Sequence, residues 1–138
     1  MFASEFGAKA AQRLSQDGII WLITVRKDGT PQPSPVWFLW DGETILIYSQ
    51  PNTQKLRNIA RSATVALHLN GDQWGNDITI ITGEARVEAN APLAREVPGF
   101  VKKYVDDLHS AKSREDFDRI MNGYDVAIRV TPTSLRGW

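Results

Sequence analysis

Gln32 to Arg61 reads QPSPVWFLWDGETILIYSQPNTQKLRNIAR, and this run decides the fold. Val36, Trp37, Phe38, Leu39 and Trp40 form an unbroken apolar and aromatic stretch. Asp41-Gly42 follows, a dipeptide that supplies the positive φ angles of a two-residue hairpin, so the chain turns back there. Thr44 to Tyr48 is the β-branched and aromatic return strand, ending at Ser49-Gln50-Pro51-Asn52-Thr53, a cluster of turn and capping residues. A helix then begins, with Asn52 or Thr53 as its N-cap and Leu56, Ile59 and Ala60 as its buried stripe.

Lys55 falls in the first turn of that helix, where the helix end already carries roughly half a positive charge. A phosphate would resolve the conflict. The free amides of the first turn, the hydroxyls of Ser49 and Thr53, and the side chains of Lys55 and Arg57 could converge on it. Solvated surface charge is the other reading of the two cations, and spacing alone leaves both open. Helical geometry sets Lys55 and Arg57 about 160° apart on the wheel, so they can meet only beyond the helix tip. Arg61, one turn further on, is less able to reach.

Working outward, Ile19 to Arg26 is a β-rich segment, and Asp28-Gly29 turns it into Thr30 to Trp40, so two hairpins come in succession. Prolines 31, 33 and 35 cannot donate to a ladder, which places that part of the strand at an edge or bulge with backbone groups free for a ligand. Ser4 to Ser15 reads as a short helix capped by Ser4, with Phe6, Ala10 and Leu14 on one face. Downstream, Ala63 to Leu69 and Ile78 to Val87 read as strands, the latter bent or bulged at Gly83, with Trp74 in the loop between them. Pro92 to Leu108 and Ser113 to Met121 read as helical, the first broken at Pro98-Gly99. Tyr124 to Val130 is a final strand, followed by a tail, Thr131 to Trp138.

Six β segments joined by hairpins, with few helices, predict an antiparallel barrel in which closure hides the edges. Residues 1–138 read as one domain, with no linker or internal repeat. Ile19 to Val25 and Val36 to Trp40 are apolar on both alternating faces, whereas a barrel strand facing water is polar on one. Their outer face needs a cover. Short helices supply part of it, and five tryptophans in a chain this small point to a second copy for the rest, hence a homodimer.

Composition bounds the function. The apolar fraction of 42% suits a globular core, and sixteen basic against sixteen acidic residues leave no global field to attract nucleic acid or a membrane surface. Any anion site must therefore be local. The absence of cysteine excludes disulfides, thiolate catalysis and Cys-ligated metals. No apolar run has the length of a membrane span and the N-terminus lacks a signal-peptide core, so the expectation is a cytoplasmic protein. His68 and His109 are too few and too far apart to suggest a metal site, and both are read as structural. No Ser/His/Asp pattern, P-loop or GxGxxG is present, so an enzyme built on this chain takes its hard chemistry from a cofactor.

Taken together, the strand, the DG turn, P-x-P-V-W-F, a second DG turn, a strand ending in Y-S and a helix opening T-x-K-x-R-N resemble the pyridoxamine 5′-phosphate oxidase-like split β-barrel superfamily. More closely, WLITVRKDGTPQPSPVWFLWDG with LIYSQPNTQKLRNI resembles its deazaflavin- and flavin-dependent oxidoreductase branch. The resemblance covers Ile19 to Leu69, Ile78 to Val87 and the last strand with its RGW end. It implies a mainly β fold with peripheral helices: a six-stranded antiparallel Greek-key split barrel, FMN-binding-like and homodimeric, with two cofactor sites between the subunits.

Carried over position by position, the resemblance implies that Gln32, Ser34, Pro35, Val36 and Trp37 line the cofactor ring, largely through backbone groups. Ser49, Gln50, Thr53, Lys55 and Arg57 would hold its phosphate. Trp74 and Trp138 fall where partner-subunit residues approach the cofactor in some members, and core or interface packing is the other reading of each. The chain is much shorter than true pyridoxamine 5′-phosphate oxidases and lacks a match to their late basic and histidine substrate residues, so vitamin oxidation is not expected. The leading expectation is hydride transfer between the reduced deazaflavin F-420 and a small organic acceptor, with FMN in the same site as the alternative. Arg26 or Arg61 could serve the deazaflavin's anionic oligoglutamate tail, though solvated charge explains both as well. A reading of another class is a protein that binds or stores a flavin, deazaflavin or haem-type ligand without turnover. An oligonucleotide-binding barrel ranks last, because a basic groove is missing.

Overall fold

The computed structural model describes residues 1–138. The chain opens with α1 (Glu5–Gln16), whose N-cap Ser4 accepts a 2.9 Å bond from the Gly7 amide and whose Ala10 and Leu14 are buried. Strands β1 (Ile20–Val25), β2 (Pro31–Val36), β3 (Leu39–Trp40) and β4 (Ile45–Ser49) follow. Next come α2 (Gln54–Arg61), β5 (Thr64–His68) and β6 (Thr79–Glu88). A 3₁₀ turn (Ala94–Glu96), α3 (Pro98–Val101), a π-helical stretch (Lys102–Asp107) and α4 (Arg114–Ile120) form a helical lobe before the last strand, β7 (Val126–Gly137).

All strand pairs are antiparallel, and the sheet order is β2-β1-β5-β6-β7-β4-β3. The two edge strands, β2 and β3, are separated only by Trp37 and Phe38. One stretch of chain thus pairs with β1 through its first half and with β4 through its second, which curls the sheet into a barrel that is split where the stretch changes partner. The expected Thr30 to Trp40 strand is therefore two strands, and the sheet has seven rather than six. The apolar run carries no sign of this break, because the residues that cause it lie in the helical lobe.

Both DG turns form, each with its own geometry. The first is a three-residue loop in which the Arg26 amide donates to Thr30 O at 2.9 Å and Gly29 takes φ +89°. The second is a two-residue loop at Gly42 and Glu43, and Asp41 flanks it rather than sitting inside it. The Asp41 carboxylate accepts from the Glu43 and Thr44 amides at 2.9 and 2.7 Å. The bulge expected at Gly83 is present, as a register shift between Thr82 and Gly83. A Cβ on Gly83 would lie 2.8 Å from Thr131 O, so glycine lets the two longest strands cross closely there.

The break expected at Pro98-Gly99 is present, between the 3₁₀ turn and α3, which Pro98 opens at its first position, where no amide is needed. Two other expectations need correction. The tail after Val130 is strand, because β7 runs on to Gly137 against β6. On α2, Ala60 is exposed and the fully buried position is Asn58, beside Ile59.

The barrel interior is aliphatic, built from Ile20, Leu22, Val36, Ile45, Ile47, Leu67, Ile81, Ile128 and Val130 with Phe38. A second cluster lies between the outer face of β4 and β7 and the helical lobe, and it is aromatic: Tyr48, Phe100, Tyr104 and Phe117, with Trp37 packed against it. That is why every residue of β4 is buried. The expected cover for two-faced apolar strands is thus supplied within the chain for β4 and for Trp37 and Leu39. The outward residues of β1 are less covered: Trp21 and Ile23 are half-buried and Val25 is 37% exposed.

Candidate functional site

The pairing of β1 with β2 settles where the three prolines point. Their partners are Val25, Ile23 and Trp21, alternating with Thr24 opposite Gln32 and Leu22 opposite Ser34. Because Arg26 and Thr30 are a hydrogen-bonded pair, the bonded positions on β2 are Gln32, Ser34 and Val36. The backbone of Pro31, Pro33 and Pro35 faces the other way, to the free edge. That edge carries carbonyl oxygens and no N–H, so it can accept hydrogen bonds but cannot donate them.

The split between this edge and the second half of β4 opens a groove of about 350 Å³. Pro35, Val36 and Trp37 form one wall, Tyr48 of β4 and Lys55 of α2 lie across from them, and Ile19, Ile120, Met121 and Tyr124 complete the lining. Trp37 is held flat by Tyr104, ring centroids 4.2 Å apart and planes 6° apart. Tyr104 is fixed in turn, since its hydroxyl accepts from the Phe38 amide at 2.8 Å and lies 2.7 Å from Gly18 O. Lys103, 4% exposed, donates to Phe38 O at 3.0 Å with its Nζ 3.6 Å from the Phe38 ring centroid. The two partners thus satisfy both backbone groups of Phe38, which the strand break removes from the ladder.

Electrostatically the groove is apolar with one cation. Burial alone lowers the Lys55 pKa, and no carboxylate pairs with it. Burial also pushes Lys103 down to about 8, against the pull of Asp17, and pushes the Tyr104 and Tyr48 phenols up. The Tyr48 hydroxyl donates to Pro92 O at 2.6 Å and so is turned away from the groove.

The N-cap of α2 is Thr53, while Asn52 takes a left-handed φ of 62°. Thr53 makes no capping bond with its side chain; its Oγ1 lies 3.0 Å from Ser49 Oγ, which donates to Gln50 O at 2.7 Å. The first-turn amides are therefore left without a side-chain cap. Arg57 folds back on its own helix start, donating to Asn52 O at 2.9 Å and to Gln54 Oε1 at 3.0 Å. Gln32 and Ser34 are half-buried on the inward face of β2, and Gln50 is exposed. Of the residues singled out from sequence, the groove gathers Pro35, Val36, Trp37 and Lys55. Trp74 and Trp138 lie outside it, 76% and 65% exposed, where Trp138 Nε1 donates to the Gly75 carbonyl at 2.8 Å.

Several groups here escaped the sequence reading. Tyr104 carried a readable signal, the four-residue spacing from Phe100 that marks one helical face. Lys103, Ile120, Met121 and Tyr124 did not, because their roles depend on how the lobe docks on β4. A second groove of about 430 Å³ lies on the far side of Tyr48, where Arg129 is held between Asp41 and Glu88.

Comparison with known proteins agrees with this architecture. The family described as pyridoxamine 5′-phosphate oxidase matches residues 6–138. Among solved structures, an F-420 reductase is 29% identical, covering 91% of this chain and 94% of its own, with a TM-score of 0.67. A conserved hypothetical protein from Mycobacterium tuberculosis is 24% identical, covering 98% of this chain and 84% of its own, with a TM-score of 0.72. No curated protein matches the chain.

Proposed function

The chain belongs to the pyridoxamine 5′-phosphate oxidase family, and from that premise we propose that its groove binds the deazaflavin F-420 and serves hydride transfer to a small organic acceptor. The observation that carries this reading is Lys55: a half-buried cation without a carboxylate partner, in the same apolar groove as Pro35, Val36 and Trp37. A buried unpaired charge is costly, and an anionic ligand offsets that cost. The uncapped first-turn amides of α2 add donors for the same phosphate. Membership and the F-420 reductase relative support the oxidoreductase class.

The acceptor-only edge of β2 favours deazaflavin over FMN. A flavin ring places a nitrogen acceptor where the deazaflavin has C–H, and an edge of prolines has no amide to offer that nitrogen. The bound coenzyme would supply the hydride itself. The chain's part is to position and to dry the site: Trp37, locked by Tyr104, gives a flat wall, and Ile19, Ile120 and Met121 exclude water.

A second copy completes this reading. Trp21, Ile23 and Val25 point outward on β1, and the row Pro35, Trp21, His68 and Ile80 runs across β2, β1, β5 and β6 with every member at least partly exposed. Because Pro35 belongs to both the row and the groove, a partner on this face would also wall the groove. The central test is Lys55→Met. Losing a charge-assisted contact of about 1.5–3 kcal/mol weakens F-420 binding roughly ten- to a hundredfold. Titrations of F-420 and FMN side by side, read by tryptophan fluorescence, measure it. Unchanged affinity in the variant would remove the phosphate assignment, and tighter FMN binding would reverse the choice of ring.

A further inference from the structure

Tyr48 is the one residue that lines both grooves, and the two grooves carry opposite charge. The first holds the lone cation Lys55. The second, of about 430 Å³, is lined by two carboxylates, Asp41 and Glu88, and one guanidinium, Arg129, so its walls carry one net negative charge. Arg129 faces Leu46 in the ladder between β4 and β7, which sets these charges beside an apolar surface. Leu46 and Tyr48 are the buried part of that surface, and Leu39, Val97 and the turn through Ala91 and Pro92 extend it. The Tyr48 hydroxyl ties the turn to β4 through Pro92 O at 2.6 Å.

The polar groups of this groove are held by one another. Arg129 Nε donates to Glu88 Oε2, and Nη1 donates to Thr44 Oγ1 at 2.9 Å and to Asp41 Oδ2 at 3.3 Å. Asp41 is saturated, since its Oδ1 accepts the Glu43 and Thr44 amides and its Oδ2 also accepts the Thr44 hydroxyl at 2.9 Å. Glu88 is not. Its side chain is 33% exposed and its Oε1 has no partner in the chain, so Arg129 fixes the carboxylate through one oxygen and leaves the other to accept. Arg129 Nη2 has no partner either, yet an anion drawn to it would meet both carboxylates.

We propose that this second groove binds a small organic cation: an ammonium that donates to Glu88 Oε1, carried on an apolar body of about one aromatic ring that lies on Leu46, Tyr48 and Val97. The site lies on the other side of Tyr48 from the coenzyme groove and does not depend on the coenzyme reading. The sign of the charge decides the ligand class. A cation offsets the net negative charge and gives Glu88 the donor it lacks, as a charge-assisted hydrogen bond. A neutral molecule gains the apolar contact alone, and an anion is repelled. The volume is that of a small-molecule site rather than of a face for docking a protein. Arg129 acts by holding Glu88 and is a positioning residue.

The test is an NMR titration of the full chain, with labelled methyl groups, using phenethylamine at neutral pH, where it is protonated. Phenethyl alcohol and phenylacetate serve as its neutral and anionic counterparts. The amine should give saturable shifts at the methyls of Leu39, Leu46, Ala91 and Val97, the alcohol should bind about tenfold more weakly, and phenylacetate should give no shift there. No saturable shift with the amine, equal affinity for amine and alcohol, or shifts confined to Ile19, Ile120 and Met121 of the first groove would each overturn the site. Glu88→Gln takes the lining from one net negative charge to zero and keeps an oxygen for Arg129. It should weaken the amine about tenfold and leave the alcohol unchanged; an unchanged amine affinity overturns the role of Glu88 Oε1. The comparison of probes on the wild type stands even where that variant folds poorly. Shifts at the same methyls on diluting the protein alone would show a second copy seated in the groove, which also overturns the proposal.

Discussion

The barrel interior and the helical lobe are both apolar, yet they are built on different chemistry. The interior is filled by Leu, Ile and Val with Phe38, every strand in it has ladder partners, and none of its members is ionisable. The lobe is aromatic and encloses Tyr104 and the buried Lys103. The difference follows from the break between β2 and β3. At Phe38 the backbone leaves one ladder before joining the next, so its N–H and C=O need partners that an aliphatic core cannot give. The Tyr104 hydroxyl and the Lys103 amine take that place, and the same contacts hold Trp37 against the groove. The interior keeps the barrel closed; the lobe keeps its split open in one shape.

Three substitutions separate the two regions. Leu67→Ala, at a fully buried barrel position, should cost about 2–5 kcal/mol in urea unfolding while leaving the affinity of folded protein for F-420 unchanged. A loss of affinity in the folded fraction would mean that the interior also shapes the groove. Lys103 should give a smaller and pH-dependent effect. Burial holds its amine at about 8, below the ordinary 10.5, so the folded state releases this proton before the unfolded state does. The cost of burying the charge is full below pH 8 and relieved as pH rises, adding about 2–3 kcal/mol of stability by pH 10. Above that, the raised phenol of Tyr104 works in the opposite direction. Unfolding of Lys103→Met against wild type between pH 7 and 10 checks this, with the wild-type rise absent from the variant.

Tyr104→Phe should have the smallest effect on stability, about 1–2 kcal/mol, because it leaves the Phe38 amide without its partner while the aromatic packing stays. Its sharper signature is local. Trp37 loses the anchor beneath its stacking partner, so F-420 binding should weaken along with a change in tryptophan emission. An unaltered groove in this variant would show that stacking alone places Trp37.

The barrel was legible because its signals are short-range. The β-rich run Ile19 to Arg26, the two DG turns, the Ser4 cap and the bend at Gly83 each depend on a few neighbouring residues. The strand character of residues 131–137 was not legible. TPTSLRG has no apolar alternation, and it is strand because β6 lies beside it with open ladder positions. The site was legible in part for the same reason. Lys55 stood out as a cation at a helix start and Pro35, Val36 and Trp37 as an edge, and the fold brings these four together. Asn58 was hidden between Leu56 and Ile59, where a helical stripe calls for an apolar residue. Its burial depends on Thr24 and Gln32, which are distant in sequence.

Local chemistry in the sequence determined the turns, the capped first helix, most of the strands and the proline edge. Tertiary structure alone decided the break at Trp37 and Phe38, the direction in which the proline carbonyls face and the half-buried place of Lys55 without a carboxylate partner. Each of these depends on groups separated by tens of residues, as with Phe38 and Tyr104, 66 positions apart. Propensity and spacing act within one element. Polar satisfaction is settled only when elements meet.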